Sequence, residues 1–312
     1  MGRPRASVII PNWNGLRLLR PCLDALRRQT VPDAEVIVVD NASTDGSVEA
    51  LRREYSEVRV IALATNGGYT AGCNVGLREA HGEVLVLLNN DTEAAPDWLE
   101  ALLAGLERHP EAGMAASRIM LYDRRETLHS AGDLYRTNGL PDSRGVWQEY
   151  GPPFDVETYV FGACGGAMAC RRAMLEDVGG FEQAFFMYCE DVDLNWRAQL
   201  AGWKCIYLPQ AVVYHRLSAT GGGALASYYV GRNTLWVIAR NYPTELLRRH
   251  WREVLAAQAR IAADALRSWR GTAARHRLWG QIVGLATCPR WLRYRRQLAR
   301  RVDMQYIESI LT

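Results

Sequence analysis

Along the first third of the chain, short apolar runs alternate with segments whose apolar residues recur at helical spacing. Ser7-Val-Ile-Ile-Pro11 reads as a strand that runs into the polar loop Asn12-Trp-Asn14-Gly15. Leu19, Cys22, Leu23 and Leu26 follow the 3.6-residue period and predict a helix over 16–29. Glu35-Val-Ile-Val-Val-Asp40 is a second strand, ending in a carboxylate. Asn41 to Gly46 is a turn rich in capping residues, and Ser47 to Glu54 reads as a helix. Val58 to Ala64 is a third strand, Asn66-Gly67-Gly68-Tyr69 a tight turn, and Thr70 to Ala80 a helix. Val84-Leu-Val-Leu-Leu88 then reads as a buried strand that runs straight into Asn89-Asn90-Asp91-Thr92. Strands and helices alternating at this rhythm predict a parallel sheet with right-handed crossovers.

Beyond Asp91 the pattern predicts a helix over 96–107 and a strand over 113–121. Residues 122–156 are polar, rich in Gly and Pro and without a clear period, which suits an acceptor-binding excursion or a mobile lid. Residues 160–170 return to strand character, and the paired Gly165 and Gly166 suggest close backbone approach. Val192, Trp196 and Leu200 fit one packed helix face, with Asp193 and Arg197 spaced to pair. Two last strands are expected over 203–208 and 211–214, ending at His215, ahead of a flexible stretch from Ser218 to Gly223. From Tyr228 onward the chain reads as helical. The expected domains are 1–225, with a nucleotide-binding half to about residue 92 and an acceptor half over 93–225, then a helical region over 226–312.

Composition adds limits. With 312 residues and 48% hydrophobic content the chain can bury a real core, yet no apolar run is long enough to span a membrane. The basic start, Met1 to Arg5, leads into a short strand rather than a signal-peptide core, and Ala6 lies where a myristoylation motif has Ser or Thr. Seven scattered cysteines fit reduced thiols and a cytoplasmic location. Charge is uneven: from Arg240 onward 15 arginines face 5 acidic residues, a net +10 against −7 for the remainder. Trp251, Trp269, Trp279 and Trp291 lie among those arginines, and Trp236 just ahead of them. Such a tail suits peripheral contact with an anionic membrane, or helices packed on the core. No RNA- or DNA-binding motif accompanies it, so nucleic acid is not expected as a partner; a homo-oligomer stays open.

In open α/β sheets ligands sit at the carboxyl edge, and three predicted strands end there in Asn12, in Asp40 and in Asn89 to Asp91. Asp91 is therefore the first candidate for chemistry. Asp40 could accept from a pyrimidine imide or a ribose hydroxyl, or simply cap its turn. The Gly67-Gly68 turn allows close backbone approach to a ligand, but dinucleotide and P-loop patterns are missing. Glu190 and Asp191 fall at a helix N-terminus, where free N–H groups keep a carboxylate ionised, as a general base must be; without other evidence, simple capping is the favoured reading.

Taken in order, the pieces resemble the family-2 inverting glycosyltransferases of GT-A fold, most of all bacterial rhamnosyltransferase-type members. They are Val8-Ile-Ile-Pro11-Asn-Trp-Asn14, Val39-Asp40-Asn41-Ala-Ser43-Thr-Asp45-Gly46, Asn66 to Gly76, Leu88-Asn89-Asn90-Asp91-Thr92, Gly179-Gly-Phe-Glu182, Phe186 to Leu194, and His215. The resemblance covers about residues 5–240. It implies an α/β, Rossmann-like, mostly parallel central sheet flanked by helices, with a C-terminal α-helical region. It implies inverting sugar transfer in cell-surface polysaccharide or glycolipid synthesis. The donor would be dTDP-L-rhamnose, or else a UDP-sugar; the acceptor would be a hydroxyl of a saccharide or lipid-linked saccharide. Asn89-Asn90-Asp91 stands where many relatives carry Asp-x-Asp, so Asp91, completed by His215, would hold Mn²⁺ or Mg²⁺. Asp191 matches the catalytic base. Pro11, Asn12, Asn14, Asp40, Ser43, Asn66, Gly68, Asn74, Asn90 and Asp91 fall on the implied nucleotide surface, and Gly165, Gly166 and Glu190 on the acceptor side. The implied location is cytoplasmic, peripheral at the cytoplasmic membrane face. A sugar nucleotidyltransferase is a second reading, but the loop Asn12 to Arg17 lacks the Gly-rich, basic run that would hold a triphosphate. The Asn-Asn-Asp departure also keeps open a non-catalytic nucleotide-sugar-binding paralogue.

Overall fold

The computed structural model describes residues 3–217 and 222–312. Gly2 and most of the stretch expected to be flexible, Ser218 to Gly221, lie outside the described residues.

The first half alternates as the periodicity predicts. Its elements are β1 (Ala6–Asn12), α1 (Leu16–Leu26), β2 (Glu35–Asp40), α2 (Ser47–Glu54), β3 (Arg59–Ala62), α3 (Gly68–Glu79) and β4 (Val84–Leu88). Then come β5 (Thr92–Ala94), α4 (Trp98–Arg108), β6 (Ala112–Leu121), β7 (Leu128–Ser130), β8 (Asp133–Tyr135), β9 (Pro141–Ser143), β10 (Thr158–Val160) and β11 (Ala167–Arg171). The second half continues with α5 (Arg172–Val178), a 3-10 turn over Gln183–Phe185, α6 (Glu190–Leu200) and β12 (Lys204–His215). Four helices close the chain: α7 (Gly223–Asn241), α8 (Thr244–Arg267), α9 (Thr272–Arg295) and α10 (Met304–Ile310).

The main sheet runs β10-β12-β6-β11-β4-β1-β2-β3. Strands β3, β2, β1 and β4 are mutually parallel. Strand β11 enters antiparallel between β4 and β6, and β12 lies parallel to β6, so the sheet is mixed in the second half. Because β1, β2 and β4 are covered on both faces, their side chains are apolar almost without alternation, whereas the edge strand β3 is partly exposed. Val8, Ile10, Val38, Val86 and Leu88 pack with Leu19, Leu23 and Leu102 on one side. Ile9, Ile37, Val39 and Leu87 pack with Cys73, Leu77 and Leu194 on the other.

Three segments differ from the sequence expectation. The two last strands are one: β12 is continuous, with a register shift between Leu208 and Val212 that accommodates Pro209, which has no N–H for the ladder. The expected strand over 160–170 is two, β10 and β11, separated by the Gly162–Gly166 turn. The 122–156 excursion is packed rather than loose: Leu128, Ala131 and Tyr135 are fully buried on or beside three-residue strands too short to show a period.

The C-terminal helices continue the core. Tyr135, Phe161, Trp196, Trp236, Tyr242 and Trp291 form one aromatic cluster. At its edge the fully buried Asp193 accepts from Arg197 at 2.9 Å and from Asn241 at 2.8 Å, and its carboxylate pairs by charge with Arg240 at 2.9 Å, tying α6 to α7. The tail tryptophans therefore divide. Trp236 and Trp291 are buried, whereas Trp251, Trp269 and Trp279 are more than half exposed. Among the described residues no helix is long and apolar enough to cross a membrane.

Candidate active site

The parallel strands β4, β1 and β2 end side by side, and their polar ends bond to one another. Register puts Asn12 opposite Asp40. The Asn12 amide donates to Asp40 Oδ1 at 2.9 Å, and its own oxygen accepts from Asn90 at 2.8 Å. Asp40 Oδ2 accepts from the Ser43 N–H at 2.8 Å. Asn14 bridges the loops after β1 and β2: its N–H donates to Ser43 Oγ at 2.8 Å and its side chain accepts from Thr44 N–H at 2.7 Å. Asp40 is buried and both its oxygens already accept within the protein, so it shapes this edge before it meets any ligand. Pro11 is buried in β1 beside Gly72, and Asn66 accepts from the Gly68 N–H at 2.9 Å.

Two expected nucleotide residues face elsewhere. Asn74 exchanges two hydrogen bonds with the Phe181 backbone, at 2.8 and 2.9 Å, which occupies its amide in holding the Gly180–Phe181 turn. Gly68, at φ +83°, has no room for a side chain because a Cβ would stand 2.5 Å from the Phe186 carbonyl oxygen. The close approach at the glycine pair is thus to the turn before α6.

Asp91 and His215 meet because β5 runs antiparallel to the end of β12, with Thr92 opposite His215. His215 Nε2 lies 3.1 Å from Asp91 Oδ1, and both side chains are nearly buried. Adjacent corners of an octahedral ion with 2.0–2.1 Å bonds are about 2.9 Å apart, so this donor pair fits a hard divalent cation. His215 Nδ1 faces His129 Nδ1 at 3.1 Å. Burial first, then the neighbouring His215, pushes His129 down to about 4, which keeps it neutral. A ligating histidine usually directs its other ring nitrogen to a fixed partner, and His129 fills that place here. His129 lies on β7, in the aperiodic excursion, where no sequence pattern singled it out. Among the described residues no set of three His, Cys, Asp or Glu is grouped to hold an ion by itself. Oxygens of a bound diphosphate would have to complete the coordination.

Helix α6 begins with Glu190 and Asp191. The turn before it holds Phe186, Tyr188 and Cys189 at φ 67°, 65° and 63°. Left-handed non-glycine residues cost about 1–3 kcal/mol each and cluster at functional sites. Asp191 Oδ2 accepts from the Gly165 N–H at 2.9 Å and Oδ1 from the Val192 N–H at 2.8 Å. Burial raises the Asp191 carboxyl above the usual range, against the lowering effect of those two donors. Glu190 is raised well above it by burial and by Asp191, and among the described residues its Oε2 finds no hydrogen-bond partner. Asp133, buried on β8, is raised likewise by burial and by Asp191.

The two halves are joined. Gly166 accepts from the Asn89 N–H at 2.9 Å, so Asp191, Gly165, Gly166 and Asn89 form one connected path to the Asp91 turn. The charges of Glu190 and Asp91 both reach the half-buried Tyr188 phenol, which burial raises. Tyr69 donates to the Gly165 carbonyl at 2.7 Å. Tyr69, Asp133 and Tyr188 escaped the sequence reading because no spacing rule connects them to the strand ends.

Comparison with known proteins matches residues 7–179 to the model of the family described as Glycosyl transferase family 2. The chain is 30% identical over 230 residues to the O-antigen biosynthesis protein RfbC of Myxococcus xanthus, covering 70% of this chain and 18% of that protein. It is 31% identical over 223 residues to the N-acetylglucosaminyl-diphospho-decaprenol L-rhamnosyltransferase of Mycobacterium tuberculosis, covering 64% of this chain and 72% of the relative. The chain thus spans most of one relative and under a fifth of the other. Among solved structures, that of GalNAc-T7 with UDP, GalNAc and Mn²⁺ superposes with a TM-score of 0.67 at 16% identity, over 99% of this chain and 57% of that one. At that identity the likeness establishes the GT-A architecture alone.

Proposed function

This chain belongs to glycosyl transferase family 2, and on that premise we propose that it moves a sugar, with inversion, from a nucleotide-diphosphate donor to an acceptor hydroxyl. The observation that carries the reading is the connected path from Asp191 through Gly165 and Gly166 to Asn89, which links a partly buried carboxylate to the turn that carries Asp91, itself 3.1 Å from His215. Asp191 removes the acceptor proton as the oxygen attacks the anomeric carbon. The diphosphate leaves on the opposite side, toward Asp91 and His215, so one displacement inverts the centre. Gly165 and Val192 aim the carboxylate, and Asn12, Asn14, Ser43 and Asn90 form the edge against which the nucleotide lies. Asp91 and His215 would hold Mn²⁺ or Mg²⁺, which when bound supplies charge neutralisation for the departing diphosphate.

The donor we favour is dTDP-L-rhamnose, then a UDP-sugar, supported by the named activity of the mycobacterial relative. That relative's acceptor is a lipid-linked amino sugar, and a lipid-linked saccharide is the acceptor class proposed here. Incubation with dTDP-L-rhamnose and a panel of UDP-sugars, with N-acetylglucosaminyl-diphospho-lipid and Mn²⁺, should release nucleoside diphosphate from one donor. Release from none would sink catalysis and favour a binding paralogue. Pyrophosphate formed from a nucleoside triphosphate and a sugar phosphate would favour the nucleotidyltransferase.

A lipid acceptor gives the C-terminal helices a place. Helix α8 exposes Trp251 and Leu255 in its first half and Leu266 near its end, with Trp269 just beyond; α9 exposes Trp279, Ile282, Leu285 and Leu292. These apolar groups lie within the segment of net +10 charge. We read this surface as peripheral contact with anionic lipid, where each basic residue near the surface contributes about 1 kcal/mol. Replacing Trp251, Trp269 and Trp279 together by Ser should abolish cosedimentation with phosphatidylglycerol vesicles and leave folding intact. Undiminished cosedimentation would place the contact elsewhere.

A further inference from the structure

We propose that Asn233, oriented by Arg232, is a positioning residue for Asp191; this rests on reading Asp191 as the base. The segment from Phe185 to Cys189 is an unfavourable piece of backbone. The Met187 N–H reaches the Phe185 carbonyl at 2.8 Å around Phe186 at φ 67° and ψ −57°, a γ-turn of the rare, strained hand. Tyr188 and Cys189 follow in the left-handed region, and α6 starts at the next residue. Such a segment keeps its shape only where its surroundings dictate it.

The N-terminal half supplies one side of the grip: the Thr70 N–H donates to the Phe186 carbonyl at 3.2 Å. The other side comes from α7. Asn233 is fully buried, and its amide nitrogen lies 3.1, 2.9 and 2.7 Å from the carbonyl oxygens of Phe185, Met187 and Tyr188. Two amide hydrogens are thus shared among three carbonyls of the same turn. Arg232 Nε donates to Asn233 Oδ1 at 2.8 Å, which turns the amide nitrogen toward the turn. Arg232 Nη2 donates at 3.0 Å to each of the Ala184 and Phe185 carbonyls. The turn ends at Cys189, whose carbonyl accepts from the Asp193 N–H at 3.0 Å and so sets the first turn of α6. Asp191 sits in that turn, and its bond to Gly165 depends on where the turn points it. Helix α7 is therefore part of the catalytic unit: the segment after residue 222 completes the support of a base placed before it.

The test compares the full chain with Asn233→Asp, which keeps the shape and loses both donors, and with Arg232→Lys, which loses the planar fork. Hydrogen exchange is read by mass spectrometry over residues 183–192, alongside Tm, UDP and dTDP affinity with Mn²⁺, and nucleotide release. Expected are faster exchange confined to 183–192, unchanged nucleotide affinity, and a kcat lower by about 100-fold, the scale of an ångström's misplacement. Arg232→Lys should fall between Asn233→Asp and the unaltered chain, and carries the test if Asn233→Asp fails to fold. Unchanged exchange over 183–192, or unchanged kcat with faster exchange, overturns the proposal. If the unaltered chain releases nucleotide from no donor, it is the transferase reading that fails, and exchange alone then judges the grip on the turn.

Discussion

Asp191→Asn should abolish measurable sugar transfer while leaving UDP or dTDP affinity within the error of calorimetry. A positioned general base contributes typically about 10²- to 10⁴-fold, and among the described residues the neighbouring carboxylates are poor substitutes. Glu190 and Asp133 are both held toward their neutral forms by burial and by the Asp191 charge. Asparagine also cannot repeat the geometry. Asp191 accepts through both oxygens, from Gly165 and from Val192, whereas an amide offers one acceptor and turns N–H groups toward the other donor. The same carboxylate sets a pH dependence. Burial raises its pKa, and only the ionised form takes a proton. Activity is therefore present above the raised pKa and lost as pH falls through it, with the acid limb lying above the usual aspartate value near 4. Because Glu190 and Asp133 feel the same charge, that limb belongs to the cluster rather than to one residue. Turnover retained in the variant would remove Asp191 from the chemistry.

Much of this was legible because strand ends announce themselves. Apolar runs that stop in Asn12, Asp40 and Asn89 to Asp91 are what a sheet buried on both faces must look like, and their alignment follows from parallel pairing. The start of α6 at Glu190 was legible from helical spacing and acidic residues alone. What lay beyond reach was set by long-range pairing. Only the family resemblance joined Asp91 to His215; periodicity could not, because they meet through β5 pairing antiparallel with β12, a strand that Pro209 made look like two. Gly68 and Asn74 carry the residue types of a ligand-facing loop, yet their neighbours are Phe186 and Phe181. Nothing local distinguishes a glycine kept open for a ligand from one kept open for a carbonyl. His129 and Asn233 are invisible to periodicity for the same reason: each acts on a partner that the chain reaches only after folding.

The proposed metal site yields the second large effect. Asp91→Asn and His215→Ala should each reduce Mn²⁺ binding to the UDP-bound chain by at least about tenfold, read by electron paramagnetic resonance of free Mn²⁺, and flatten the dependence of turnover on Mn²⁺. The magnitude rests on how few protein donors there are. With only Asp91 and His215, the loss of either leaves a single protein ligand beside the diphosphate, while removing even an outer partner typically costs 10- to 100-fold in affinity. Asp91→Asn should be the more severe, since it also removes the one carboxylate charge in the Asn-Asn-Asp turn. His129→Ala should be milder: the ligands stay, but His215 loses the partner 3.1 Å away that fixes its ring. Without nucleotide, the unaltered chain should bind Mn²⁺ weakly, because phosphate oxygens would have to complete the coordination. Tight binding of Mn²⁺ to the chain alone, or identical titrations for the His215→Ala variant and the unaltered chain, would show that the ion is held by other residues.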